Sequence, residues 1–427
     1  MLDLKLIRER PDLVRARLER RARPEFVEAV ERVLSLDEER RAAIAQVDNM
    51  RARRNEVSPR VGKLKREGRD AEAEPLILEM RELGDRMAEQ EARRSELEQG
   101  MRDMLLNIPN LPEEAVPAGG EENNVVLRTW GSPQAFDFGP RPHWEIAERL
   151  GILDLARGAK VAGSGFPLYM GLGARLERAL ITLMLNMHVH EHGYTEVAPP
   201  FLVNTDAALG TGHLPKFGAD MYYIQADDLY LVPTAELPVT NLYAGELLDP
   251  GALPCRFVAY TPCFRREAGA HGKDTRGLLR LHQFDKVELV RFERAEAGRA
   301  ALEELTGHAE AVLRRLGLHY RVVLLAGGDL GFASAQTYDL EVWSPGVGRW
   351  LEVSSCSVYH DYQARRANIR YRPAPGEKPE FATTLNGSGL ALARTFAAVV
   401  ETYQQEDGSL AVPPAIADYL GTDRISV

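Results

Sequence analysis

Two stretches of the chain repeat mostly apolar residues at alternating spacings of four and three, a pattern that only a helix packed along a partner helix can use. The first runs through Leu36, Arg40, Ala43, Val47, Met50, Arg54, Val57, Val61 and Leu64. The second runs through Leu76, Met80, Leu83, Met87, Gln90, Arg94, Leu97, Met101, Met104 and Ile108. Glu67-Gly68-Arg69-Asp70 can turn the chain between them, so the economical reading is an antiparallel two-helix hairpin, a coiled-coil arm over about 28–106. At about 1.5 Å per residue each helix would span on the order of 45–50 Å, too long to lie wholly on one domain, and the hairpin is expected to project. Ser58-Pro59 predicts a kink or a restart in the first helix, because proline lacks the amide donor and crowds the preceding turn.

The outer part of that first helix carries Arg51, Arg53, Arg54, Arg60, Lys63, Lys65, Arg66 and Arg69 against only Glu56 and Glu67. The whole chain has a formal charge of −10, so this is a local basic region in an acidic protein. A solvated coiled-coil surface would look the same in charge alone. Its position at the far end of an arm favours contact with nucleic-acid phosphates, and we expect Arg51, Arg53, Arg54, Arg60, Lys63, Lys65 and Arg66 to bind RNA.

The stretch 111–124 is rich in Pro, Gly and Glu and reads as a linker between a domain at 1–110 and a second at 125–427. In the second, strand candidates such as Leu229–Val232 and Tyr320–Leu325 mix with helices near Ala174–His190 and Ala295–Leu316 without regular alternation. That favours an α+β fold with a mainly antiparallel sheet flanked by helices. No apolar run is long enough for a spanning helix, and the amino terminus lacks a signal-peptide core, which predicts a cytoplasmic protein with no membrane partner. Cys255, Cys263 and Cys356 have no spacing that suggests zinc or a disulfide framework. His188, His190 and His192 sit at a helix end, where that spacing spreads them around the axis.

Three passages carry chemistry. Phe264-Arg265-Arg266-Glu267, a polar stretch from Ala268 to Gly277, and Arg280-Leu281-His282-Gln283-Phe284 read as two strands joined by a mobile loop, with arginine forks for phosphate and an aromatic face for a purine. Thr383-Thr384-Leu385-Asn386-Gly387-Ser388-Gly389-Leu390 reads as a glycine-containing turn running into a helix that bears Arg394. A helix ending near His192 leads to Gly193-Tyr194-Thr195-Glu196-Val197-Ala198-Pro199-Pro200-Phe201.

Taken together in order along the chain, these resemble motifs 2, 3 and 1 respectively of the class II aminoacyl-tRNA synthetases. Walker and class I nucleotide patterns are absent. Within the class the whole chain is similar to the seryl-tRNA synthetases of bacterial type, through Gly210-Thr211-Gly212-His213-Leu214-Pro215, Pro233-Thr234-Ala235-Glu236, His282-Gln283-Phe284-Asp285-Lys286-Val287-Glu288 and Glu352-Val353-Ser354-Ser355-Cys356-Ser357. The helical arm belongs to the same resemblance.

The resemblance implies ATP-dependent attachment of L-serine to tRNA(Ser), and to tRNA(Sec) where present, through seryl adenylate. It implies that Arg265, Glu267, Arg280 and Arg394 carry catalysis. Thr234, Ala235, Glu236, Arg265, Glu288, Asn386 and Ser388 would surround serine. Arg265, Arg266, Glu267, Leu281, Phe284, Glu352, Val353, Ser354, Ser355 and Arg394 would hold ATP, with Glu352 and Ser355 meeting Mg2+. Pro200 would lie at the interface of a homodimer. A ligase-like relative that loads a carrier protein, and an inactive RNA-binding coiled-coil protein, are the competing readings; the arm argues against the first and the complete arginine and glutamate set against the second.

Overall fold

The computed structural model describes residues 1–268 and 276–427. They divide into two compact units, one of Leu2–Glu19 with Arg23–Ile108, the other of Met1, Arg20–Ala22 and Pro109–Val427. The mobile loop expected between Ala268 and Gly277 falls at 269–275 outside the described residues.

In the first unit, helices Leu4–Glu9 and Pro11–Glu19 precede two long helices, Pro24–Arg66 of 43 residues and Asp70–Leu106 of 37. Pro24 occupies the first turn, where its missing donor costs nothing, so the first helix starts earlier than the apolar seam alone indicates. The turn between the long helices uses Gly68 at φ 73°. Seam residues Ala43, Val47, Val57, Met87, Leu97 and Met101 are buried, while Arg54 is exposed. Pro59 does not restart the helix, contrary to expectation. Both Pro59 and Asn55, whose carbonyl loses its donor, are exposed, so water can satisfy that oxygen.

Asp37, only 1% exposed, is the polar centre of this unit. Arg8 Nε, Arg40 Nη2 and Arg41 Nε approach its carboxylate at 2.8, 2.9 and 3.1 Å.

The second unit is built on an eight-stranded sheet. Its strands are β1 (Val125–Trp130), β2 (Thr195–Glu196), β3 (Cys255–Phe264), β4 (Gln283–Glu293), β5 (Tyr320–Leu324), β6 (Gln336–Ser344), β7 (Arg349–His360) and β8 (Thr383–Ala391). They run in the order β1-β5-β6-β7-β8-β4-β3-β2, antiparallel at every neighbouring pair except β2 with β3. Helices Leu172–His190, Gly298–Arg315 and Leu392–Thr402 bury Leu176, Met184, Leu305, Val312 and Phe396 in one core with Val287, Leu289, Val322, Leu340, Val358 and Leu385. Each such aliphatic side chain contributes about 1.5–3 kcal/mol by leaving water. Strand residues of the opposite parity are left to face a cleft.

The passage Thr383–Ala391 is a strand, not the expected turn, and the helix begins only at Leu392. Its glycines serve close packing. A Cβ on Gly387 would meet Leu305 Cδ2 at 2.3 Å, and one on Gly389 would meet His188 Nε2 at 2.6 Å.

Candidate active site

A cleft of about 520 Å3 is lined by residues from β4, β6, β7 and β8, from the segments following β3, and by Ala393 and Arg394 at the start of helix Leu392–Thr402. Along β4, Phe284, Lys286 and Glu288 line it while Val287 and Leu289 enter the core, as a period of two requires. On β7, Glu352 and Ser355 both line it although three residues apart. A register shift between Leu340 and Glu341, opposite Ser354 and Glu352, inserts one residue and changes the strand's parity. Ser355, Ser357 and Tyr359 then follow on the cleft side.

The floor is a chain of hydrogen bonds. Asn386 Nδ2 donates to Glu236 Oε2 at 2.9 Å and to Glu288 Oε1 at 2.8 Å, and Tyr359 Oη donates to Asn386 Oδ1 at 2.6 Å. Ser388 Oγ donates to Glu288 Oε2 at 3.3 Å, and Lys286 Nζ lies 2.7 Å from that oxygen. Thr234 Oγ1 accepts from the Glu236 amide at 3.2 Å. Burial, followed by the neighbouring Glu288 charge, pushes the Glu236 carboxyl up to about 7. Burial, followed by Arg265, pushes His213 down to about 3, so that ring is neutral; its Nδ1 is 2.9 Å from Thr211 Oγ1.

Above the floor, the motif following β3 departs from expectation. β3 ends at Phe264, so Arg265, Arg266 and Glu267 lie beyond the strand, and Arg280 lies before β4 begins. The Arg265 amide still donates to His282 O at 2.9 Å, extending the pairing by one step. Arg265 and Glu267 line the cleft; Arg266 does not. The Arg265 guanidinium carbon sits 5.1 Å from the Phe284 ring centroid, and its Nε donates to Pro233 O at 3.3 Å. Arg280 Nη1 is 2.7 Å from Glu267 Oε2. Arg394 donates from Nη1 to Glu352 O at 2.8 Å and from Nε to Leu279 O at 3.2 Å.

The cleft therefore gathers Thr234, Glu236, Arg265, Glu267, Arg280, Leu281, Phe284, Glu288, Glu352, Val353, Ser355, Asn386, Ser388 and Arg394 from the sequence-predicted set. Ala235 and Ser354 are buried outside its lining, with Ser354 Oγ donating to Ser388 O at 2.6 Å. Pro200 is exposed, away from the cleft. The helix-end histidines are not all spread apart as expected: His188 and His192 meet with their Nδ1 atoms 3.0 Å apart, His188 being buried with its Nε2 3.3 Å from Gly389 O, and only His190 points away, exposed.

Sequence reasoning missed Lys286, Asp339, Tyr359 and Gln363. Lys286 was within reach, since it lies midway between Phe284 and Glu288 on one strand face. Asp339 pairs with Ser355 across β6 and β7, and its Oδ1 is buried with no hydrogen-bond partner. Burial and then Glu352 hold its carboxyl well above the usual range.

Residues 222–403 match the family described as tRNA synthetase class II core domain (G, H, P, S and T), and residues 1–112 match the Seryl-tRNA synthetase N-terminal domain. The chain is 53% identical to the serine--tRNA ligase of Gemmatimonas aurantiaca, over 99% of each chain. It belongs to the seryl-tRNA synthetase family. A second relative, the serine--tRNA ligase of Carboxydothermus hydrogenoformans, is 52% identical over 100% of this chain and 99% of its own. Among solved structures, the seryl-tRNA synthetase from Pyrococcus horikoshii complexed with ATP superposes with a TM-score of 0.95 at 37% identity, covering 100% of this chain and 99% of that one. The cytoplasmic enzyme from Naegleria fowleri in complex with AMP gives 0.90 at 28%, with the same coverage. The seryl-tRNA synthetase fold accounts for both the long paired helices and the antiparallel sheet.

Proposed function

We propose that this cleft joins L-serine to ATP as seryl adenylate and then passes the seryl group to the terminal ribose of tRNA(Ser). The observation that carries the reading is the floor, where one amide, Asn386, spaces two carboxylates beside Lys286 and Arg265 in a small polar pocket. Such a pocket suits a short amino acid with an ammonium and a hydroxyl, because a substrate lacking the hydroxyl leaves buried polar groups unpaired. Glu236 takes the ammonium, Glu288 and Thr234 take the hydroxyl, and Arg265 takes the carboxylate. Asn386, with both amide hydrogens and its carbonyl engaged, acts on serine through the two glutamates.

In the first step a serine carboxylate oxygen bonds to the α-phosphorus and the bond from that phosphorus to the bridging oxygen breaks, releasing pyrophosphate. Arg265 bridges the two reactants, so their carboxylate and phosphate charges approach without mutual repulsion. Phe284 and Arg394 hold the adenine between them, Glu267 meets its edge, and Arg280 draws off the outer phosphates. Leu281 and Val353 add apolar walls to the nucleotide site, Ser354 supports the site through the bond from its hydroxyl to Ser388 O, and Arg266 and Ala235 support it through their backbone. In the second step a ribose hydroxyl of the tRNA attacks the seryl carbonyl and AMP leaves, with no covalent enzyme intermediate.

Glu352 and Ser355 offer oxygen ligands of the kind magnesium prefers, and the unpartnered Asp339 Oδ1 beside them adds a third. Among the described residues no set of three or more His, Cys, Asp or Glu is arranged to hold a metal. A magnesium ion held partly by substrate phosphates fits that donor set, and it would supply neutralisation of phosphate charge. This reading also puts exposed Pro200 at the interface of a twofold dimer, the basic face of Pro24–Arg66 against tRNA, and the protein in the cytoplasm; among the described residues no helix is long and apolar enough to cross a membrane. The extent 1–110, the linker 111–124 and the catalytic domain 125–427 are the functional division this reading uses.

Exchange of labelled pyrophosphate into ATP, measured with serine, alanine, glycine and threonine, tests the proposal. Serine alone should support rapid exchange. Exchange with none of them, or a preference for alanine or glycine, would overturn it.

A further inference from the structure

Gln363 is fully buried, at the start of helix Tyr362–Ala367, and does not line the cleft. Its amide is used completely. Nε2 donates to Glu236 Oε1 at 2.6 Å and to Thr211 O at 3.1 Å, while Oε1 accepts from Thr384 Oγ1 at 2.7 Å. Three separate segments are thereby tied to one carboxylate: the end of helix Thr205–Thr211, the start of helix Glu236–Thr240 and the start of β8. With Asn386 on Glu236 Oε2, each carboxylate oxygen has one amide donor, so the carboxylate plane is fixed from two sides.

We infer that Gln363 is a positioning residue that holds Glu236 in the orientation and charge state needed to bind the serine ammonium, and so sets serine affinity without touching substrate or nucleotide. The inference rests on the proposed role of Glu236. A buried carboxylate facing a second carboxylate, Glu288, needs donors from the protein to stay ionised before a cation arrives. Gln363 supplies one of the two amide donors and is anchored so that it cannot turn away. Thr384 holds its carbonyl and Thr211 its second hydrogen, which fixes which end of the amide faces Glu236. Burial raises the Glu236 carboxyl, and the Gln363 hydrogen bond opposes that rise.

The experiment uses the full-length protein and pyrophosphate exchange, with serine and ATP varied separately. Gln363→Met keeps the length of the side chain and removes its donor. The loss of one charge-assisted hydrogen bond should raise KM for serine about tenfold or more, with KM for ATP changed less than about twofold. The acid limb of kcat/KM for serine should move to higher pH, a change that a loosened fold alone would not give. If Gln363→Met does not fold, Thr384→Val, which frees the amide carbonyl and keeps the donor present, should raise the serine KM by a smaller factor in the same selective way. Equal increases in both KM values, or an unmoved acid limb in a folded variant, would overturn the inference. Glu236→Gln separates it from the reading beneath: if that variant leaves serine KM unchanged the pocket assignment itself fails, whereas a raised KM there with normal Gln363 variants sinks only the positioning role.

Discussion

Lys286 Nζ lies 2.7 Å from Glu288 Oε2, with the two side chains 8% and 1% exposed, so the pair is an almost dry ion pair at the wall of the cleft, in the proposed serine pocket. Removing one partner of such a pair leaves a buried charge without compensation, typically a loss of about 3–5 kcal/mol. Lys286→Met is therefore expected to lower the thermal midpoint and to cut kcat/KM for serine in pyrophosphate exchange by more than about tenfold, since Glu288 loses the cation that orients it. Full activity in a stably folded Lys286→Met protein would contradict the assignment of Glu288 to serine.

The pH dependence of serine use follows from Glu236. Its carboxyl is raised to about 7, by burial first and Glu288 second. Only the ionised form attracts an ammonium, so kcat/KM for serine should climb with pH through about 7 and level off above it. Glu236→Gln should abolish that limb together with most of the serine affinity. A flat profile from about pH 6 to 8 in the unmodified protein would show that another group accepts the ammonium.

How much of this was legible from the sequence depended on whether local spacing carried the information. The hairpin was readable because its seam repeats over many turns, and Glu288 was reachable from Phe284 by strand alternation. Glu352 with Ser355 came from family resemblance alone: their spacing of three would place them on opposite faces, and only the register shift beside Leu340 and Glu341 unites them. The Gly387 and Gly389 positions looked like a turn because the helix-borne Leu305 and the His188 ring that forbid a side chain there are distant in sequence. Pro59 misled for the opposite reason, a local rule relaxed by exposure to water. Gln363 left no trace, since its three partners come from Thr211, Glu236 and Thr384 and no local pattern connects them.

A second buried pair lies behind the proposed nucleotide side of the cleft. His143 Nδ1 is 2.7 Å from Glu401 Oε1 with both side chains fully buried, while His143 Nε2 accepts from the Leu278 amide at 3.0 Å. With Nε2 accepting from that amide, the ring fixes the backbone next to Leu279, whose carbonyl accepts from Arg394. Burial opposes ionisation of Glu401, but hydrogen bonds from His143 and Ser344 outweigh it and hold the carboxyl below its usual value. A depressed carboxyl contributes stability that is present above its unfolded pKa and is lost as pH falls through the folded one. His143→Phe should cost about 2–3 kcal/mol in stability and flatten the acid side of the stability curve. It should also raise KM for ATP more than KM for serine, and an ATP KM unchanged in the folded variant would argue against a link from His143 to the nucleotide site.

The arm contains two kinds of basic residue. Arg51 and Arg53 are paired with Glu91 and Glu79 on the facing helix at 2.7 Å each, and Lys63 and Arg69 pair with Glu67. Among the described residues, the exposed Arg54, Arg60, Lys65 and Arg66 have no carboxylate within 4.0 Å. A cation already held by a neighbouring carboxylate must give up that partner to meet a phosphate, so the second group should dominate RNA binding although all of these residues look alike in the sequence. Replacing Arg54, Arg60, Lys65 and Arg66 together by alanine should leave serine-dependent pyrophosphate exchange intact. The same variant should weaken tRNA binding and lower the slope of log affinity against log salt by about 0.7–0.9 for each phosphate that it no longer neutralises. Replacing Arg51 and Arg53 should affect helix pairing more than the salt slope. An unchanged slope in the fourfold variant would place the tRNA-binding surface elsewhere on the chain.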